Sequence, residues 1–425
     1  MFFKKTAILL FLFWSVSFSG QTKIKSLFYN TLNYDSNLSS QNRSHHLKTI
    51  LDDVKPDLFM VCEVKNETAS NYLFANAILP HKESFKKAPF KYSQSPATGL
   101  LQMVYYNSNK LILESTNVIP TETRDINHYT FKINTVNVST SPIRIEVFVT
   151  HLKASRGLYN RNKRLSSIGS FVRELDRLPK NSNVIFAGDF NFYTSNENGF
   201  KKLIDTSNSI KMIDPINRLC PTFPNDGKDY YDTDYDSSYF WNNSSFRDIH
   251  TQSTRVSQLN GDGAGGGMDD RFDFIMMSEN LKTNPNLFYK EGSYKSVGNN
   301  GNCYNSYVSN TSCTGNFSQN LRTALYNFSD HLPVVMEIET PENTLSINKY
   351  EQPLVFANTN SHKNNITLKT NFNVNKVSIY NFLGQVIKEI DFTNLKEKNI
   401  NISNFSKGVY FIKADNYKPI KFLKL

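Results

Sequence analysis

Between residues 22 and 340 short apolar runs alternate with turn-rich loops and a few amphipathic stretches, and this pattern constrains the fold most. The runs are "IKSLFYN", "LFMVCEV", "GLLQMVYYN", "IRIEVFVTHL", "NVIFAGDFN", "RFDFIMMS" and the alternating "PVVMEI". Runs of this length bounded by turn residues read as strands. "SSQNRSHHLKTILDDVKPD" reads as a helix. Its Leu47, Ile50, Leu51 and Val54 recur at helical spacing and Pro56 stops it. A second helix is expected in "NRNKRLSSIGSFVRELDRL". Strands and helices mixed in this way predict an α/β domain that packs strands from distant parts of the chain together.

The ends of the chain read differently. Residues 1–20 combine a basic start at Lys4-Lys5 with an apolar Thr6–Phe18 and small residues at Ser17 and Ser19, the form of a secretory signal peptide. No other stretch reaches spanning length. From Pro341 the sequence turns polar, and residues 341–352 read as a linker. Residues 353–425 offer only strand candidates, "NITLKTNF", "KVSIYNFLGQVIKEI", "GVYFIKAD" and "IKFLKL", with Gly384 and Gly408 at turns. The expected organisation is a signal peptide (1–20), a catalytic domain (21–340), the linker and a small all-β domain.

The net charge of +10 does not by itself indicate a nucleic-acid footprint. Residues 341–425, with twelve Lys against six acids, account for +6 of it and the leader for +2, leaving +2 on residues 21–340. Of the four cysteines, Cys303 and Cys313 share a polar loop and could pair in an oxidising compartment, whereas Cys62 sits in an apolar run and reads as a buried thiol.

Chemistry-bearing residues gather at the strand boundaries: Glu63 in "VCEV", His151 in "VTHL", Asp189 and Asn191 in "AGDFN", Asp273 in "RFDF", and Asp330-His331 before "LPVVMEI". Each alone has a plain reading as a turn Asp, a satisfied His or a surface Glu. Six such positions together favour one site. A buried carboxylate wants a cation, and Mg²⁺ takes one or two carboxylates with phosphate.

"FYNTLN", "PDLFMVCEV", "THLKAS", "FAGDFN", "RFDFIMMS" and "SDHLPVVMEI" also occur in the order of the endonuclease/exonuclease/phosphatase, or deoxyribonuclease I-like, family, which residues 24–338 resemble. The resemblance implies a four-layered α/β sandwich, two packed mixed sheets flanked by helices, and metal-dependent hydrolysis of phosphate esters. It implies Glu63 as the Mg²⁺ ligand, with Asn30 and Asp330 supporting the metal. Mn²⁺ or Ca²⁺ could replace Mg²⁺. His331, oriented by Asp273, would act as general base or polarise the phosphoryl group. Asp189 would orient or deprotonate the attacking water, Asn191 would bond a phosphate oxygen, and His151 would bind phosphate and protonate the leaving oxygen. One family feature is missing: "GLLQMVYYN" supplies no carboxylate to support His151. The "THL" form points away from the abasic-site nucleases and resembles secreted nucleases and sphingomyelinases alike.

"GDGAGG" at 261–266 fits a dinucleotide-loop pattern but precedes a strand, so it reads as a mobile loop beside the site. Arg255 in the adjoining "HTQSTR" is a candidate phosphate contact, set against a plainer reading as a solvated loop arginine. The acidic "DGKDYYDTDYDSS" reads as a solvated loop rather than a Ca²⁺ site. Residues 345–425 resemble the C-terminal sorting domain of type IX secretion cargo in Bacteroidota. That resemblance implies export through the periplasm and outer membrane to the surface or medium, with the secretion machinery as partner. The expected function is a secreted, metal-dependent endonuclease acting on DNA, with RNA as a second substrate, and the expected state is a monomer without stable membrane insertion. The alternatives are a sphingomyelinase-like or inositol-phosphate phosphoesterase and, more remotely, a non-enzymatic surface binder.

Overall fold

The computed structural model describes residues 22–96, 99–344, 354–356, 361–370, 374–414 and 419–425. The signal peptide and most of the linker lie outside them. Contacts divide the chain into two units, Met1–Ser346 and Ile347–Leu425.

The first unit holds thirteen strands: β1 (Thr22–Tyr34), β2 (Leu58–Val64), β3 (Phe85–Lys87), β4 (Leu101–Asn107), β5 (Leu111–Ile119), β6 (Ile126–Ile133), β7 (Arg144–His151), β8 (Val184–Asp189), β9 (Met212–Ile213), β10 (Asp273–Ser278), β11 (Phe288–Tyr289), β12 (Lys295–Ser296) and β13 (Val334–Thr340). They form two mixed sheets. One runs β11-β13-β1-β2-β4-β3 with β12 also on β13, and the other runs β5-β6-β7-β8-β10-β9. The parallel pairs are β1–β2 and β7–β8, at the centre of each sheet.

Side-chain alternation explains the layering, because successive residues of a strand point to opposite faces. On β7, Val147 and Val149 enter the core between the sheets, while Phe148 turns to the outer core. Ile185 and Ala187 of β8 face inward and Phe186 outward; Ile275 and Met277 of β10 repeat this against Phe274 and Met276. The outward residues meet Ile168, Phe171 and Leu175 of the helix Leu158–Leu175. Against the other sheet pack the helices Ser44–Val54 and Gln319–Phe328. The result is helix, sheet, sheet, helix. Leu47, Ile50, Leu51 and Val54 are buried as their spacing predicts, and Lys55, with φ 53°, closes that helix before Pro56.

β5 and β6 were not legible in the sequence. β6 buries polar residues, which breaks the apolar signature of a strand. His128 is satisfied by Glu146 of β7 at 2.8 Å, so the polarity costs little. Cys303 and Cys313 form a disulfide, and Cys62 and Cys220 are buried thiols.

A buried ion pair anchors the segment leading into β10. Arg271 donates to both carboxylate oxygens of Asp214 at 2.9 Å, and both side chains are buried. The guanidinium also lies over the Phe274 ring at 4.2 Å. Replacing Asp214 by alanine strands the buried charge, and chemical denaturation should show a loss of about 3–5 kcal/mol.

The second unit is all β. Val355–Phe356, Asn365–Lys369 and Glu397–Asn401 form a three-stranded sheet. Ser361–His362, Ile420–Lys424, Gly408–Ala414, Lys376–Asn381 and Val386–Asp391 form a five-stranded one. Gly384, at φ 79°, turns the hairpin between Lys376–Asn381 and Val386–Asp391, a conformation that favours glycine.

Candidate active site

Register sets the site. The β7–β8 pairing aligns His151 with Asp189, and the β8–β10 pairing aligns Asp189 with Asp273. One row across three strands therefore carries an imidazole and two carboxylates. From the opposing sheet, Asn30 of β1 pairs with Cys62, the neighbour of Glu63 on β2. The segment entering β13 brings Asp330 and His331.

Asn30 joins the two sheets. Its buried amide nitrogen donates to Glu63 Oε1 at 3.0 Å and to Asp189 Oδ2 at 3.1 Å, and lies 3.4 Å from His331 Nε2. Glu63 sits in the left-handed region, φ 62°, and Asn191 likewise at φ 52°. Such conformations cost energy in non-glycine residues and concentrate where chemistry is done. The second oxygen of Glu63 accepts from the Asn33 backbone N–H at 2.7 Å. Asn191 donates its side-chain amide to Asp189 Oδ1 at 2.8 Å, which fixes that carboxylate.

His331 is the most heavily supported group. Asp273 Oδ2 lies 2.8 Å from its Nδ1, Asp189 Oδ2 lies 3.8 Å from its Nε2, and Asp330 Oδ1 lies 4.0 Å away. Burial disfavours its charged form, yet the carboxylates of Asp273, Asp330 and Asp189 outweigh that and hold it well above the ordinary imidazole value. His151 behaves oppositely. Burial, together with Arg124, His331 and Lys153, pushes it well below that value. Its Nδ1 has no hydrogen-bond partner, with Glu63 Oε1 3.8 Å away, and its Nε2 stands 3.5 Å from Asp189 Oδ2. The run "GLLQMVYYN", now β4, supplies no carboxylate to His151; the acids beside it come from β2 and β8.

Asp189 is pushed up to about 7, first by burial and then by Asp273 and Glu63, with His331 and Asn30 opposing. So much uncompensated negative charge in a buried space fits a cation. Glu63, His151 and Asp189 offer ligand atoms all within 4.8 Å of one another. Buried Asp273 Oδ1 and Asp330 Oδ1 also lack hydrogen-bond partners. A donor set dominated by carboxylate oxygens suits a hard divalent cation. Asp330 Oδ1 lies 4.0 Å from His331 Nε2, and its Oδ2 accepts from the Ala264 N–H at 2.6 Å. The glycine-rich loop thus lies against the site, and Asp262 in it also receives the Asn33 amide at 3.1 Å.

Gly188 is required for tight packing before Asp189. A Cβ there would meet the Thr150 carbonyl oxygen at 2.5 Å and the Phe190 ring at 2.9 Å. Gly188→Ala should cost about 1–3 kcal/mol in thermal melts and displace Asp189, with hydrolysis falling further than stability alone explains.

Two placements were not foreseen. Gln252 has no signal in an isolated sequence, yet its amide nitrogen lies 2.6 Å from His331 Nε2 and 3.5 Å from Asp330 Oδ2. Arg255 is not a solvated loop residue: it is 1 % exposed. In the acidic loop, Asp232 pairs with Arg161 at 2.9 Å and Asp229 caps its own backbone.

Residues 355–424 match the secretion system C-terminal sorting domain family. The chain carries a sorting domain. No curated protein matches the chain. Among solved structures it is similar to D. rerio TDP2 complexed with single-strand DNA product, at 14% identity and TM-score 0.46 over 75% of this chain and 100% of that one. It is similar to the human Nocturnin catalytic domain with bound sulfate, at 14% identity and TM-score 0.44 over 75% and 97%. It is also similar to an endonuclease/exonuclease/phosphatase family protein from Bacteroides thetaiotaomicron, at 13% identity and TM-score 0.44 over 75% and 96%. No helix among the described residues is long and apolar enough to cross a membrane.

Proposed function

We propose that residues 21–340 are a secreted, divalent-metal-dependent phosphodiesterase of the endonuclease/exonuclease/phosphatase type, and that its substrate is DNA, with RNA as a second polymer. The carrying observation is the meeting of Asn30, Glu63, His151, Asp189, Asp273 and His331 where two sheets face each other. The motif order in the sequence supports the family assignment. The sorting domain supports delivery by type IX secretion to the surface or medium, with the leader at 1–20 and the linker at 341–352 completing the export design.

Glu63 and Asp189 would hold the cation with oxygen donors, with Asn30 fixing both carboxylates and Asp330 supporting it. Mg²⁺ is the preferred ion, and when bound it supplies charge stabilisation on the phosphoryl oxygens and an acidified water. The protein's part follows from protonation. Asp273 holds the His331 ring through Nδ1 and favours its cationic form, in which Nε2, once the Gln252 amide nitrogen turns away, donates to a non-bridging phosphate oxygen as charge builds there. Asp189, held in place by Asn30 and Asn191, takes the proton of the attacking water. His151 starts neutral; an incoming phosphate anion raises its affinity for a proton, which lets it bind the group and serve the leaving oxygen. Asn191 aligns Asp189 and offers an amide to the phosphate.

A lipid or small phosphoester substrate is the second reading. Leu158 and Tyr159, 61% and 68% exposed at the start of the helix after His151, favour it. A panel decides: supercoiled plasmid, single-stranded oligonucleotides, sphingomyelin vesicles and inositol phosphates, each with Mg²⁺. Cleavage of the nucleic acids alone is expected; cleavage of sphingomyelin or inositol phosphates alone would overturn the nuclease assignment.

A further inference from the structure

We propose that a basin beside the catalytic cluster binds a second phosphate of the same nucleic-acid strand, with Arg255 as its principal contact. The inference rests on the phosphodiesterase reading above and extends it to how the strand is held. The basin has a volume of about 510 Å³ and is lined by Asn33, Arg43, Lys65, Arg255, Asn260 and Asp262 among others. Its wall is shared with the site, since the Asn33 backbone N–H also bonds Glu63.

Arg255 distinguishes this basin from an ordinary surface hollow. Its side chain is 99% withdrawn from solvent by area, at 1 % exposure. Its Nε donates to the Tyr326 carbonyl at 2.9 Å, and the guanidinium makes no other hydrogen bond among the described residues. A guanidinium carries five N–H donors, and with one on Tyr326 four remain for a ligand in the basin that Arg255 lines. A phosphate receives such a planar fork in a bidentate manner.

The neighbours sharpen the assignment. Arg43 also lines the basin, but its terminal nitrogens are used by the carbonyls of Thr31, Leu32 and Phe328. It adds positive field, with three of its five N–H donors already taken. The acids in the wall, Asp35 and Asp262, are fewer than its cations Arg43, Lys65 and Arg255, and each is held by neutral donors. Asp35 accepts from Ser36 and Asn66, and Asp262 accepts from Asn33 and Gly263. Asp330 acts on Arg255 electrostatically. If that were the whole role of Arg255, no ligand preference would depend on it. Exposed amides such as Asn260 at the mouth suit the sugar and base edges of a polynucleotide.

The test compares ligands without metal, so that nothing is hydrolysed. The EDTA-treated full chain is titrated calorimetrically with the thymidine dinucleotide TpT and with its terminally phosphorylated forms pTpT and TpTp. One phosphorylated form is expected to bind about tenfold tighter than TpT, or better. Arg255→Gln should erase that preference and Arg255→Lys should keep part of it. Equal binding of all three ligands, or a preference that survives in Arg255→Gln, overturns the proposal. Should Arg255→Gln fail to fold, Asn260→Asp places an anion at the exposed mouth and must selectively weaken the phosphorylated form; unchanged binding overturns the proposal there too. Absence of metal-dependent hydrolysis would count against the catalytic reading, whereas this metal-free comparison bears on the basin alone.

Discussion

His331→Ala should lower phosphodiester hydrolysis by about a thousandfold or more, measured well below the melting temperature of the variant. The ring is buried, and Asp273, Asp189, Asp330, Gln252 and Asn30 all lie within 4.0 Å of it. Three of the other five site groups, Asn30, Asp189 and Asp273, therefore lie directly against it. Removing it takes away the cationic donor at the phosphoryl group, an interaction that strengthens as charge develops. Asp273→Asn is the companion. It keeps the ring but removes the carboxylate that charges it, so a smaller loss of about 10- to 100-fold is expected, with the pH optimum moved toward acid. The sign follows from the carboxylate raising the imidazole above its ordinary value: without it, the cationic form survives only at lower pH. A His331→Ala loss of less than tenfold, in folded protein, would remove His331 from the reaction.

Asp189→Asn should move activity and stability in opposite directions. Activity should fall by at least about a hundredfold, because a proton acceptor and a cation ligand vanish together. Stability of the metal-free protein should rise. Asp189 is pushed up to about 7 in the fold against an ordinary 3.8, so the native state binds its proton more tightly than the unfolded chain does. That difference costs nothing below pH 3.8, grows as pH rises, and is complete above about pH 7. The variant carries no such cost. Its melting temperature at pH 8 in EDTA should exceed that of the natural chain by on the order of 5 °C, and the gap should close toward pH 4. Added Mg²⁺ should stabilise the natural chain and leave the variant unmoved. A variant less stable than the natural chain at pH 8 would contradict the account of a carboxylate cluster strained for a cation.

The strands that build the site were legible because they are apolar and end in chemistry. Val147, Phe148 and Val149 before His151, and Ile185 to Ala187 before Asp189, announce both the strand and its terminal group. Period two then fixes which residues share a face. The sequence could not show the register that puts Asp189 opposite both His151 and Asp273, since spacing along the chain carries no information about pairing between strands. It also could not show Gln252, whose role comes from a loop folding back on His331. Arg255 was misread for a related reason. A polar residue in a polar loop looks solvated, and only the packing of that loop on Tyr326 buries it. β5 and β6 escaped because exposed and internally paired polar residues interrupt their apolar alternation.

The most direct test is nicking of supercoiled plasmid by the purified full chain, with Mg²⁺ and with EDTA, beside Glu63→Gln. The account predicts nicking with Mg²⁺, none with EDTA, and none in the variant at the same metal concentration. Nicking that persists in EDTA or in Glu63→Gln would contradict it, as would a folded protein that leaves every phosphodiester intact in the presence of Mg²⁺, Mn²⁺ or Ca²⁺.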